Sequence, residues 1–216
     1  MSENKRPGIT RKAMIETALR LLDEVGLDGL TVRRLATELG VRSPALYWHI
    51  RTKQELLNGM ADAVIVAAGM GPPLPGEGWQ DWLLRRARCY RSSLLAHRDG
   101  ARLVANASAL SPATVKLFDE ELAALVSRGF TPVLALRTIA TCTRYINGFV
   151  LQEQMERHGE PVTLPGLAAM LEQGMRAPLI TAIIDGGDPL GEEAFEHGLR
   201  LLVDGTAAVL ASHRAG

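Results

Sequence analysis

At 216 residues, the chain suits one large domain or a small module joined to a larger one. Apolar residues make up 47% and charged residues 22%, a globular balance that excludes disordered and collagen-like chains. The formal charge is zero, yet residues 1–53 hold ten Lys/Arg against six Asp/Glu while the remainder holds fourteen against eighteen. That asymmetry suits a basic nucleic-acid module on an acidic body.

Helix signals run from end to end. Met14/Ile15, Ala18, Leu21/Leu22 and Val25 repeat at three to four residues until Gly26 stops the first helix. Thr31 caps a short second helix ending at Gly40, and Ser43-Pro44 opens a brief third helix over Ala45 to His49. Thr52 with Glu55 forms a capping box for a fourth helix reaching Gly69. The Pro/Gly-rich stretch Gly69 to Gly78 reads as a linker. Further helices are expected over Trp79–His97, from Ser111-Pro112 to Gly129, and from Thr131-Pro132 to Arg157. Shorter ones follow near 166–175 and 178–185, and a last one runs from Glu192 to His213. No segment alternates with a strand's period of two, so the expected fold class is all-α, with domains at 1–53 and 54–216.

The chain opens on the polar run Ser2 to Pro7, and its longest uncharged stretch, Ala63 to Gly76, is short and broken by prolines. A soluble, cytoplasmic protein with no membrane partner is expected. Cys89 and Cys142 have no CxxC or Cys/His company and read as small buried hydrophobes on helices.

The informative unit is residues 31–53, TVRRLATELGVRSPALYWHIRTK. A helix, a tight turn at Gly40 and a second short helix fit a helix-turn-helix, with Ala36 small where the helices cross. Arg33, Arg34, Arg42, Ser43, Tyr47, Trp48, His49 and Lys53 offer groups that reach phosphates and base edges in a major groove. The competing reading makes Tyr47 and Trp48 core aromatics and the arginines a solvated face.

Residues 10–60 resemble the DNA-binding domain of the tetracycline-repressor family of bacterial transcription regulators. The resemblance rests on V-G-L-D-G-L-T (Val25 to Thr31), R-x-L-A-x-x-L-G-V from Arg33, A-L-Y-W-H-I from Ala45, and Thr52-Lys53. It implies a base contact from Arg33, a recognition helix containing Ser43, Pro44, Ala45, Tyr47, Trp48 and His49, and phosphate contacts from Thr31, Tyr47 and Lys53. Arg42 departs from an acidic residue, which implies a different operator. G-E-G-W-Q-D-W-L (Gly76 to Leu83), L-L-A-H-R-D-G-A (Leu94 to Ala101), R-G-F-T (Arg128 to Thr131) and G-F-V-L-Q-E-Q (Gly148 to Gln154) resemble the regulatory core of the tetracycline repressors. That core implies a small-molecule, antibiotic-like effector.

The branch binds its drug as a magnesium chelate through a His and a Glu, and the matching positions here are Val104 and Gln152. Valine cannot ligate, and a neutral amide is a poor ligand for a hard cation. An Asn that contacts the drug is matched by Arg86, and a pocket His falls near Gly69. The expectation is a pocket with no metal and no cofactor, lined by Arg86, Tyr90, Val104, Ala107, Phe118, Glu121, Leu136, Ile139, Thr143, Arg144 and Gln152. Each apolar member has core packing as its alternative role.

Phe195, Leu199, Leu202, Thr206, Val209 and His213 form a strip at helical spacing, and Gly198, Gly205 and Ala208 permit close approach. The family implies a four-helix homodimer interface with the helix 132–157; the alternative is a helix buried within one chain. A dimer would read a palindromic operator in double-stranded DNA. His97-Arg98-Asp99 echoes a kinase catalytic loop, but no Gly-rich phosphate loop or DFG accompanies it. His97 and Asp99 are instead expected in helix-end hydrogen bonds within the acidic body. No enzyme signature is present. The expected function is a ligand-released repressor, with a regulator controlled by a protein partner, or by no effector, as its rival.

Overall fold

In a computed structural model, residues 9–158 and 191–215 are described, with positions 178, 181, 182, 185 and 187–189 between them. The described residues form helices and no strands: α1 (Arg11–Gly29), α2 (Val32–Glu38), α3 (Ser43–Leu46), α4 (Lys53–Ala67), α5 (Trp79–Leu95), α6 (Gly100–Ala105), α7 (Pro112–Val126), α8 (Pro132–His158) and α9 (Glu192–Ala215). The helix expected near 166–175 lies outside the described residues, as does most of that near 178–185.

Hydroxyl caps set the starts. Thr10, Thr31, Thr52 and Ser111 accept from the backbone N–H of Ala13, Arg34, Glu55 and Thr114 at 3.0–3.2 Å. Each satisfies an otherwise orphaned donor, a contribution of about 1 kcal/mol. Glu55 reaches back to the N–H of Arg51 at 2.8 Å, one residue before the Thr52 that a strict capping box would use. Gly26 breaks α1 with φ 71°, a left-handed value that suits glycine. The helix pattern resumes beyond it to Gly29.

One apolar core runs from α1 (Met14, Leu22) through Leu35 and Leu46 into α4 (Leu56, Met60), then on to Leu94, Leu103, Ile146 and Phe195. Because α4 packs on α1 and also on α5 and α6, the core has no break at residue 53. A second core gathers Trp79, Trp82, Leu125, Phe130, Cys142 and Leu210, with Trp79 edge-on to Phe130 at 5.1 Å.

The short helix α6 was not expected. Its entry residue, Asp99, has φ 58° and no side-chain capping bond. Gly100 follows because any Cβ there would lie 2.1 Å from the Leu94 carbonyl oxygen. Buried Gln154 of α8 holds the bend, accepting from Ala101 N–H at 3.1 Å and donating to the carbonyls of Leu94 and His97 at 3.1 and 2.8 Å.

The strip on α9 is not one surface. Phe195 and Leu199 are fully buried in the chain's own core, whereas Val209 and the neighbouring Leu201 are exposed. Gly198 serves that internal packing, since a Cβ there would meet the Tyr145 hydroxyl at 2.3 Å. Cys142 is buried as expected, but Cys89 is exposed; both are free thiols.

Candidate nucleic-acid interface and internal cavity

Helices α2 and α3 cross through Leu35, Ala36 and Leu46, all buried. Between them Gly40 takes φ 67°, and Val41 N–H donates to the Ala36 carbonyl at 2.9 Å. The geometry is a helix-turn-helix. The third helix is shorter than expected: regular helix ends at Leu46, and Tyr47 to His49 continue as a turn. Its backbone bonds explain this, since Tyr47 and His49 donate three residues back, to Pro44 and Leu46, in the tighter pattern.

Outward from this frame stand the expected contact residues. Thr31, Arg33, Arg34, Arg42, Pro44, Tyr47, Trp48, His49 and Lys53 are exposed, and Ser43 and Ala45 are half-buried. Trp48 is 89% exposed and Tyr47 52%, so neither is a core aromatic. Aromatic rings left in water beside arginines make a surface with something to contact.

Behind the head lies a cavity of about 200 Å³. Its apolar wall is Ile65, Ala68, Met70, Val104, Ala107, Leu110 and Phe118, and its polar wall is Arg86, Tyr90, Thr143 and Asn147. Six expected residues thus face it: Arg86, Tyr90, Val104, Ala107, Phe118 and Thr143. Glu121 sits directly behind Arg86. The other four do not line it. Ile139 is buried in the second core, and Leu136, Arg144 and Gln152 lie on the exposed side of α8, Leu136 being 56% exposed. Helix α8 carries apolar residues on both faces, so spacing alone did not identify the inner one. Asn147 was missed although it follows Thr143 by one helical turn and therefore shares its face. Ile65, Ala68, Met70 and Leu110 come from a helix end and loops, which carry no periodic signal.

The polar wall is built from two pairs at helical spacing, Arg86 and Tyr90 on α5 facing Thr143 and Asn147 on α8. The Arg86 Nε donates to both carboxylate oxygens of Glu121 at 2.9 Å, and a terminal nitrogen pairs with Oε2 at 2.9 Å. Both side chains are buried, Arg86 at 8% and Glu121 at 0% exposure. Glu121 also accepts from Gly71 N–H at 3.3 Å, while the Trp82 indole donates to the Gly71 carbonyl at 3.0 Å. Tyr90 donates its hydroxyl to Asn147 Oδ1 at 3.0 Å, and burial pushes its pKa up to about 12, so it stays a neutral phenol.

Hydrogen bonds tie α4 and the end of α1 to the segments on either side of α6. The segment Asn106–Ser111 is tied to α4: Gln54 donates to the Asn106 carbonyl at 3.0 Å, Ser108 N–H donates to Asn58 at 3.0 Å and Ser111 N–H to Asp62 at 3.0 Å. The turn His97–Gly100 docks on the end of α1. Asp23 accepts from Arg98 N–H at 2.9 Å and lies 3.1 Å from the His97 ring, and Asp99 accepts from Leu27 N–H at 2.8 Å. His97 and Asp99 do make helix-end contacts, but with the head and not within the acidic body.

Two family models cover this arrangement. "Bacterial regulatory proteins, tetR family" matches residues 14–60, and "Tetracyclin repressor-like, C-terminal domain" matches residues 72–210. The class A tetracycline repressor from transposon 1721 of Escherichia coli is 39% identical over 90% of this chain and 88% of its own length. The chain belongs to the tetracycline-repressor family. A TetR family regulator from Streptomyces coelicolor A3(2) superposes with a TM-score of 0.78 at 34% identity, covering 92% of this chain and 99% of that one. A class A repressor in complex with 5a,6-anhydrotetracycline and magnesium superposes with a TM-score of 0.67 at 34% identity, covering 93% and 99%.

The cavity does not fit such a magnesium complex. Val104 on its wall has no ligating atom, and the carboxylate at hand, Glu121, is committed to Arg86. Among the described residues, no three His, Cys, Asp or Glu side chains gather to hold a metal ion.

Proposed function

We propose that this member of the family is a repressor that binds a palindromic operator as a homodimer and lets go when a small molecule fills the cavity. Residues 1–53 are the DNA-binding head and residues 54–216 the effector and dimerisation body, with α4 as the joint. Arg33 and the segment Ser43–His49 read bases, and Thr31, Tyr47 and Lys53 hold phosphates. Among the described residues no helix is long and apolar enough to cross a membrane, in keeping with a cytoplasmic regulator.

The observation that carries the reading is the segment Asn106–Ser111. One side of it lines the cavity through Ala107 and Leu110, and the other is bonded to Gln54, Asn58 and Asp62 of α4. An effector that displaces this segment also shifts α4, and with it the spacing of two recognition elements. That gives distinct sites, two states and a contact that differs between them. It also favours a small molecule over a protein partner, because the coupled element borders an internal space. For the homodimer, α8 and α9 pack together and expose the apolar side chains Val133, Leu136, Leu201 and Val209, suited to a second copy.

The test is to select an operator from random-sequence DNA, then follow its release by fluorescence anisotropy across antibiotic and aromatic compounds. Release by at least one compound, undiminished by a magnesium chelator, is the expected result. Selected sites without two-fold symmetry, or an operator complex that no compound dissociates, would overturn the proposal.

A further inference from the structure

We propose that the cavity takes an uncharged, largely apolar molecule whose carbonyl oxygen is received by the Arg86 guanidinium, the Thr143 hydroxyl and the Asn147 amide. The inference rests on the effector reading above and specifies its chemistry.

The polar wall is a set of donors. Tyr90 occupies the Asn147 oxygen, which leaves the Asn147 amide N–H groups to donate. Among the described residues the buried Thr143 hydroxyl has no hydrogen-bond partner, whereas buried polar atoms are normally satisfied. Glu121 takes the Arg86 Nε and one terminal nitrogen; among the described residues no acceptor meets the other terminal nitrogen. Three side chains from α5 and α8 thus present hydrogens, and the group that completes them is an acceptor oxygen.

The charge of that oxygen follows from Glu121. A free guanidinium would select a carboxylate, but this one is already neutralised by a fully buried partner. A carboxylate ligand would place a second anion beside Glu121 in a medium that screens poorly, whereas a carbonyl brings no net charge. The other walls are apolar, and Phe118 lies 5.9 Å beneath the guanidinium. At about 200 Å³ the space is below the roughly 300–1,000 Å³ of drug-sized sites, which suits a one- or two-ring body.

The test uses matched two-ring probes on the full chain: 2-acetylnaphthalene, 2-naphthoate and 2-methylnaphthalene, followed by calorimetry near neutral pH. The ketone should bind about tenfold tighter than either other probe, the difference expected of one or two buried hydrogen bonds. Thr143→Val should weaken the ketone about fivefold and leave the hydrocarbon unchanged. Glu121→Gln, which uncovers the guanidinium, should reverse the preference towards the carboxylate; if that variant does not fold, Thr143→Val decides alone. A wild-type preference for the carboxylate, or a ketone no better than the hydrocarbon, overturns the carbonyl assignment and leaves the effector reading standing. Failure of all three probes to bind a protein that still holds its operator overturns the cavity reading along with it.

Discussion

The Arg86–Glu121 pair offers the sharpest energetic test of the cavity's interior. Arg86→Met keeps a side chain of similar length and removes the charge, leaving the Glu121 carboxylate fully buried with the Gly71 N–H, at 3.3 Å, as its remaining partner among the described residues. Stranding one member of a buried pair costs about 3–5 kcal/mol. For a chain of this size that lowers the melting temperature by about 6–20 °C. Glu121→Leu strands the guanidinium instead and should cost a similar amount. The double variant Arg86→Met/Glu121→Leu strands no charge and gives up only the 3.3 Å bond from Gly71 N–H, so it should return to about the wild-type stability or exceed it by ~1–4 kcal/mol. Urea unfolding at fixed protein concentration reads all four species, and the cycle isolates the coupling. If each single change costs less than about 1 kcal/mol, as exposed pairs do, the pair is not a desolvated one. The charge-neutral cavity argued from it would then fall too.

Three further outcomes follow from exposure and titration. Arg33→Ala and Tyr47→Ala should each weaken specific operator binding by about 1–3 kcal/mol while changing stability by less than ~0.5 kcal/mol, since both side chains stand in solvent; full-strength specific binding in anisotropy would refute the assigned face. A thiol reagent should modify one cysteine per native chain, Cys89, because Cys142 is buried and its thiol is pushed up to about 11; two fast-reacting thiols without denaturant would contradict the packing of α8. Arg85 lowers the Glu77 carboxyl from 4.5 to about 2 through hydrogen bonds at 2.7 Å. A lowered acid stabilises the fold above its unfolded value, so this contribution is lost as pH falls from about 4.5 towards 2, and Glu77→Gln should flatten acid unfolding in that window.

What was legible in the sequence was local. Caps at Thr31, Thr52 and Ser111, the turn at Gly40 and the exposed Arg33, Tyr47 and Trp48 all depend on residues a few positions apart, and these stand where the spacing put them. Helix α6 escaped because its bend is held by Gln154, more than fifty residues onward, and not by a cap of its own. Arg86 and Glu121 were both singled out, yet as independent wall residues; no periodicity links positions on different helices. Leu136 was misplaced because α8 is apolar on both faces, whereas Gln152 was placed by the resemblance and not by spacing. A helix packed on one side and apolar on the other looks the same all round.

Ion pairs within the chain make the charge split sharper than the residue counts. Two of the six acidic residues in 1–53, Asp23 and Asp28, are bonded to Arg98 and Arg102 and stand apart from the exposed arginines of α2 and α3. Asp28 is held by Arg102 through two hydrogen bonds at 2.7 and 2.8 Å, and Asp23 caps the turn at His97–Arg98. Arg33, Arg34, Arg42 and Lys53 meanwhile have no carboxylate partner among the described ion pairs and stand in solvent. The positive field offered to phosphates is therefore stronger on one side of the head than the residue count implies. The same contacts make Asp23 and Asp28 parts of the joint. Charge that would repel DNA is used to fasten the end of α1 to the segment that bends at Gly100, so a zero net charge and an exposed basic face coexist in one chain.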